Sequence, residues 1–138
     1  MEDVRARQSV VLIIEDDTDS ASRCEALVES VGATSLRVNT MEAAEKVLSQ
    51  NAPDVVIVDY DLPDGTGIDV IGALRQSMAH RSTPIVLLTG EIYPADLERA
   101  VMMGIYAFLA KPFSGQEFVK LLNAAINENA DRVPRTNG

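Results

Sequence analysis

Basic residues are scarce in this chain. Twelve Lys and Arg stand against 21 Asp and Glu, for a formal net charge of −9. Contact with a phosphate backbone needs a clustered basic surface, so direct nucleic-acid binding is not expected and partners should be proteins or cations. Long apolar runs are missing as well. The longest are strand-sized, well short of the roughly 20 residues of a membrane span. The opening Met1-Glu-Asp-Val-Arg-Ala-Arg has no apolar segment and no signal-peptide pattern. The single cysteine, Cys24, excludes an internal disulfide and reads as a small core residue. There is no internal repeat and no low-complexity tract. The cytoplasm is the expected compartment.

What is present is enough for one globular domain: 138 residues, 46% hydrophobic and 24% charged. The organising stretch is Val55-Val-Ile-Val-Asp59-Tyr-Asp61-Leu-Pro63. Four β-branched residues without polar interruption read as a strand buried on both faces. Pro63, Asp64, Gly65 and Gly67 break the extended pattern, which sets Asp59 at the junction of strand and loop. In open α/β sheets that edge is where ligands bind.

The other runs repeat this design. Val10-Val-Leu-Ile-Ile14 ends in Glu15-Asp16-Asp17, and a helix capped by Thr18 or Asp19 follows until Gly32 stops it. Thr34–Val38 reads as a short outer strand. Asn39 and Glu42 stand at capping-box spacing before a helix that runs to about Gln50. A third helix covers Ile68 to about Met78. The polar loop His80-Arg-Ser-Thr-Pro84, in which His80 is expected to be solvated, leads to the strand Ile85–Thr89. A fourth helix spans about Pro94 to Met103 and closes at Gly104, a fifth strand is Ile105–Ala110, and Ser114 caps a last helix through Ile126. Residues 1–8 read as a flexible lead-in, 9–128 as the domain, and 129–138 as a flexible tail or truncated linker.

Five strands alternating with five helices predict a doubly wound α/β sandwich with a parallel sheet and right-handed crossovers. In the flavodoxin-like order 2-1-3-4-5, strands one and three are neighbours, so Glu15, Asp16 and Asp59 converge. Three anions repel by about 4 kcal/mol for each pair about 4 Å apart at an effective dielectric of about 20. A shared proton, Lys111 from the end of the fifth strand, or a divalent cation must offset this. Oxygen-only ligands in an incomplete set favour Mg²⁺, with Mn²⁺ as a substitute, and leave room for a phosphoryl group. Asp59 can then act as a carboxylate nucleophile, with Lys111 neutralising phosphoryl charge and the Thr89 hydroxyl donating to it.

Ile14-Glu-Asp-Asp17, Val58-Asp-Tyr-Asp-Leu-Pro63, Gly65-x-Gly67, Leu88-Thr-Gly90 and Lys111-Pro112-Phe113, in this order, resemble the receiver domain of two-component response regulators over residues 9–128. The resemblance implies that Asp59 is the phosphoacceptor, that Glu15 and Asp16 are the metal-binding acidic pair, and that the backbone carbonyl of Asp61 is a further metal ligand. It makes Thr89 the switch hydroxyl and Lys111 the conserved lysine, followed by a commonly cis peptide to Pro112. Phe108 falls on the aromatic switch position. Two departures stand out. Glu15 replaces an aspartate and lengthens one arm of the metal site, and Phe108 replaces a tyrosine, so the switching ring carries no hydroxyl.

The implied function is a phosphorelay: a histidine kinase or histidine phosphotransfer protein donates a phosphoryl group to Asp59, and the fourth helix, fifth strand and fifth helix present the altered surface. Tyr93, Arg99, Tyr106 and Gln116 are the candidates on that face. The chain would catalyse only its own phosphorylation and dephosphorylation, with Asp61 and Glu91 flanking the path of water. A stand-alone receiver is expected, though the tail also suits a linker cut from a larger regulator or hybrid kinase. Three other readings compete. Asp59-Tyr-Asp61 has the spacing of haloacid-dehalogenase-like phosphatases, but those place the nucleophile after the first strand. A flavin carrier would need a phosphate loop where Glu15-Asp16-Asp17 stands. A degenerate, unphosphorylated receiver would lack site residues that are all present here.

Overall fold

Alternation of side chains along each strand divides the core into two apolar layers, one on each face of a parallel sheet. The computed structural model describes residues 9–132. Strand β1 (Val10–Ile14) is followed by α1 (Thr18–Ser30), β2 (Thr34–Val38), α2 (Met41–Leu48) and β3 (Val55–Asp59). A two-stranded antiparallel ribbon pairs Asp61–Leu62 with Gly65–Thr66. Then come α3 (Gly67–Gln76), β4 (Ile85–Thr89), α4 (Pro94–Met102), β5 (Ala107–Ala110) and α5 (Gly115–Arg132). The sheet order is β2-β1-β3-β4-β5, all parallel, as the strand pattern predicts.

Val11, Ile13, Val55, Ile57, Val86 and Leu88 point to one face, where Cys24 and Val28 of α1 and Phe118, Leu122 and Ile126 of α5 cover them. Their strand neighbours Leu12, Ile14, Val56, Val58, Ile85 and Leu87 point to the other, beneath Ala44 of α2, Ile68, Ile71 and Leu74 of α3 and Ala100 of α4. The three central strands lie between both layers, which is why they read as unbroken apolar runs. The edge strands β2 and β5 are partly exposed and correspondingly mixed in sequence.

Several helix boundaries differ from expectation. Asp17 caps α1, its carboxylate accepting from Ser20 N at 2.9 Å, rather than Thr18 or Asp19. Thr40 caps α2 in place of Asn39. Its first amides, Met41 N and Glu42 N, donate to Asp64 from 23 and 22 residues away, at 2.8 and 3.0 Å. These bonds hold the Asp64 carboxyl below its ordinary pKa. Asp69 accepts from Thr66 N and closes the start of α3. Gly32 and Gly104 end α1 and α4 at φ of 89° and 76°, a left-handed conformation that suits glycine. Ser114 Oγ accepts from Glu117 N and starts α5 as expected.

That helix continues to Arg132, past the boundary read at Glu128, and Asn129 Nδ2 ties it to Asp54 Oδ1 at 3.1 Å. The lead-in 1–8 and tail residues 133–138 lie outside the described residues. No helix among the described residues is long and apolar enough to cross a membrane.

Candidate functional site

The register of the central strands assembles the site. Ile14 pairs with Val58, so the next residue of each chain segment, Glu15 and Asp59, leaves the sheet at the same edge. Asp59 pairs with Leu88, which sets Thr89 one residue beyond it, and Thr89 pairs with Ala110, directly before Lys111. Four segments distant in sequence thus deliver their polar ends to one place.

One carboxylate oxygen from each of Glu15, Asp16 and Asp59 lies within 4.8 Å of the others. Glu15 is fully buried, Asp59 is 6% exposed, and Asp16 faces solvent. Lys111 Nζ donates to Glu15 Oε2 at 2.8 Å and lies 3.2 Å from Asp59 Oδ2. Glu15 Oε1 accepts from Asp17 N at 3.1 Å. The Lys111–Pro112 peptide is cis.

The electrostatics follow from crowding. Burial, then the hydrogen bond and charge of Glu15, push the Asp59 carboxyl up to about 7 against the opposing pull of Lys111. Burial by itself would lower the Lys111 pKa, but the Glu15 hydrogen bond and the two carboxylates outweigh it and hold the ammonium above its ordinary value. The site therefore carries more carboxylate charge than its lysine balances. Thr89 is 4% exposed and its Oγ1 is buried without a hydrogen-bond partner. A buried hydroxyl in that condition costs about 1–3 kcal/mol, and at the end of the strand that pairs with Asp59's it is an available donor.

Gly67 allows the loop to close on the site. A Cβ there would stand 2.7 Å from the Asp59 carbonyl oxygen and 3.0 Å from Leu87 Cδ1, so any side chain would push on the backbone of Asp59 itself. Gly65 answers a different crowding: a Cβ there would stand 3.1 Å from Asp69 Oδ2 and from Met41 Cε.

Among the described residues, none of the other expected ones joins the carboxylate cluster. Asp61 is exposed and opens the two-stranded ribbon. Together with Glu91 it lines a cavity of about 570 Å³ that also includes Tyr60, Ile92, Tyr93 and Pro94. Phe108 is 48% exposed, its ring standing outward on the edge strand β5. Tyr93, Arg99 and Gln116 are exposed and Tyr106 is half-buried, with Arg99 Nη1 3.7 Å from Asp96 Oδ1.

His80 departs from expectation. It is 5% exposed, and its Nε2 donates to Leu48 O at 2.8 Å, tying the loop after α3 to the end of α2. A polar local sequence hid this, because burial was imposed by a neighbouring helix rather than by the loop's own composition. Two further contacts had no signal in the sequence. The Tyr60 phenol donates to Asp96 Oδ2, and that bond pushes the phenol pKa up to about 12. Arg75 spreads over the carbonyls of Met103, Gly104 and Thr83 at 2.8, 2.9 and 3.0 Å.

Comparison with known proteins gives a consistent answer. The family model described as the response regulator receiver domain matches residues 11–123. The transcriptional regulatory protein KdpE of Mycobacterium tuberculosis is 31% identical over 121 residues, covering 88% of this chain and 52% of that protein. The sensory/regulatory protein RpfC of Xanthomonas campestris is 32% identical over 135 residues, covering 96% of this chain and 19% of that protein. This chain thus spans about half the length, or less, of these curated relatives. Among solved structures, a putative response regulator from Chloroflexus aurantiacus superposes with a TM-score of 0.80 at 28% identity, covering 86% of this chain and 98% of the other.

Proposed function

The chain belongs to the response regulator receiver domain family, and from that premise we propose that Asp59 accepts a phosphoryl group from a phosphohistidine of a histidine kinase or histidine phosphotransfer protein. The observation that carries this reading is the meeting of Asp59 with Glu15, Asp16 and Lys111 at one sheet edge, next to the unpartnered Thr89 hydroxyl.

In the transfer, a carboxylate oxygen of Asp59 bonds to phosphorus, the phosphorus–nitrogen bond breaks, and the imidazole keeps the electron pair. Lys111 Nζ, 3.2 Å from Asp59 Oδ2, stands where it can neutralise charge on the incoming oxygens. The Thr89 hydroxyl donates to one of them and so gains the partner it lacks. Glu15, held by Lys111 and Asp17 N, keeps the ammonium aimed into the site.

The donor set fits a hard divalent cation: all three side chains offer oxygen, they converge, and their combined charge exceeds that of the one lysine. Glu15, Asp16 and Asp59, with the carbonyl of Asp61, would hold Mg²⁺, or Mn²⁺ in its place. When bound, the cation neutralises charge on the phosphoryl oxygens.

The output is a surface change on α4, β5 and α5. With Thr89 drawn inward, the Phe108 ring, now half in solvent, has reason to rotate toward the space left behind, repacking the face of Tyr93, Arg99, Tyr106 and Gln116. This domain catalyses only its own phosphorylation and dephosphorylation and works in the cytoplasm as a phosphorylated signalling module. Asp61 and Glu91 tune the access of water.

Intact mass after incubation with acetyl phosphate tests the reading. A gain of about 80 Da, one phosphoryl group, is expected only with Mg²⁺ present and Asp59 intact. An equal gain in Asp59→Asn, or none in the folded wild type together with no beryllofluoride binding, would overturn it.

A further inference from the structure

Helix α4 is fastened at its two ends in different ways. At its C-terminal end the Arg75 guanidinium donates to the carbonyls of Met103 and Gly104, while also holding Thr83 O, so three segments meet on one rigid fork. Between the ends the helix is lightly anchored, with Ala100 as its buried residue. At its N-terminal end, where Ile92 packs against the core, a side-chain bond runs from the Tyr60 phenol to Asp96 in the first helical turn.

Tyr60 is not a bystander in the sheet. It directly follows Asp59, is 6% exposed, and its backbone is held on both sides: its N–H donates to Leu88 O and its carbonyl accepts from Gly67 N, both at 2.8 Å. Its position therefore reports that of Asp59. The cavity of about 570 Å³ is lined by Tyr60, Asp61 and residues 91–94, so the segment leading into α4 has open space beside it. Such a segment belongs to the low-stability end of a domain.

We propose that the Tyr60–Asp96 hydrogen bond is a latch that holds the N-terminal end of α4 against the sheet edge, and that α4 swings about its Arg75-pinned C-terminal end when the latch opens. Tyr60 is then a positioning residue linking Asp59 to the fourth helix by a route separate from Thr89 and Phe108. The trigger rests on the phosphorylation reading above: a phosphoryl dianion on Asp59 adds negative charge one residue from a bond whose acceptor is a carboxylate, while movement of Thr89 pulls on residues 90–93.

Amide hydrogen exchange measured by NMR on the whole chain tests this. In Tyr60→Phe, which keeps the ring and removes the hydroxyl, the amides of Asp96 and Leu97, bonded to Tyr93 O, should exchange about tenfold faster or more, as expected for loss of one hydrogen bond to a charged partner. Those of Met103 and Ile105, bonded to Arg99 O and Ala100 O, should not change. Asp96→Asn keeps an acceptor oxygen and should fall between. Wild type loaded with beryllofluoride and Mg²⁺ should show the Tyr60→Phe pattern, and loading that variant should add little. Unchanged exchange at Asp96 and Leu97, or an equal rise along the whole of α4, would overturn the latch. If Tyr60→Phe loosens the first turn but beryllofluoride does not, the latch stands and its trigger by phosphorylation falls.

Discussion

Replacing the proposed phosphoacceptor should make the metal-free domain more stable. Asp59 is 6% exposed, beside the buried Glu15, with its pKa raised from 3.8 to about 7. Between these two values the folded state holds a proton that the unfolded state has lost, so stability falls as pH rises from about 4 to about 7 and is level above. A rise of about 3 pKa units at about 1.4 kcal/mol each gives a penalty of at most about 4 kcal/mol for the ionised form at pH 8. Asn cannot ionise, its amide can donate to Glu15 as the protonated acid would, and its oxygen can still accept from Lys111. Urea unfolding in EDTA should therefore find Asp59→Asn more stable than wild type by about 2–4 kcal/mol at pH 8, and by no more than about half of that at pH 5. Millimolar Mg²⁺ should narrow the gap by stabilising the wild type, with its full set of carboxylates, more than the variant. A variant less stable than wild type at pH 8, or an advantage equal at both pH values, would refute the argument that crowded carboxylates burden this fold.

Gly67→Ala should destabilise by about 1–3 kcal/mol, because its Cβ would stand 2.7 Å from the Asp59 carbonyl oxygen and backbone must shift; thermal denaturation measures this, and phosphorylation by acetyl phosphate should slow in the same variant. His80→Ala should cost about 1–3 kcal/mol by leaving Leu48 O without its donor. A solvent-exposed histidine would leave the midpoint of urea unfolding unmoved.

Legibility followed the range of the interaction. The buried apolar runs Val11–Ile14, Val55–Val58 and Ile85–Leu88 could be read as central strands because both of their faces meet apolar layers, which leaves no polar position to confuse the pattern. The convergence of the site residues was legible for a related reason: Glu15, Asp59 and Thr89 stand at the ends of the three central strands and Lys111 follows the edge strand β5, so parallel strand order alone brings them to one edge. Caps were less legible. Asp64, which holds the first amides of α2, lies more than 20 residues from them, and no local pattern announces it. His80 was misread because its partner, Leu48 O, belongs to another helix 32 residues earlier. The end of α5 was set too early because the bond from Asn129 to Asp54 is likewise invisible in the helix's own periodicity.

The sequence by itself therefore determined the alternation of strands and helices, the parallel sheet and the identity of the acidic cluster, since these depend on periodicity and on which residue types end each strand. Only the tertiary structure decided the fastening of α4 by Tyr60 and Arg75, the outward stance of Phe108, and the burial that raises the Asp59 carboxyl. Each of those arises from groups brought within a few ångströms by the register of strands and the crossing of helices, and a hydrogen bond or a desolvation penalty acts only at that range.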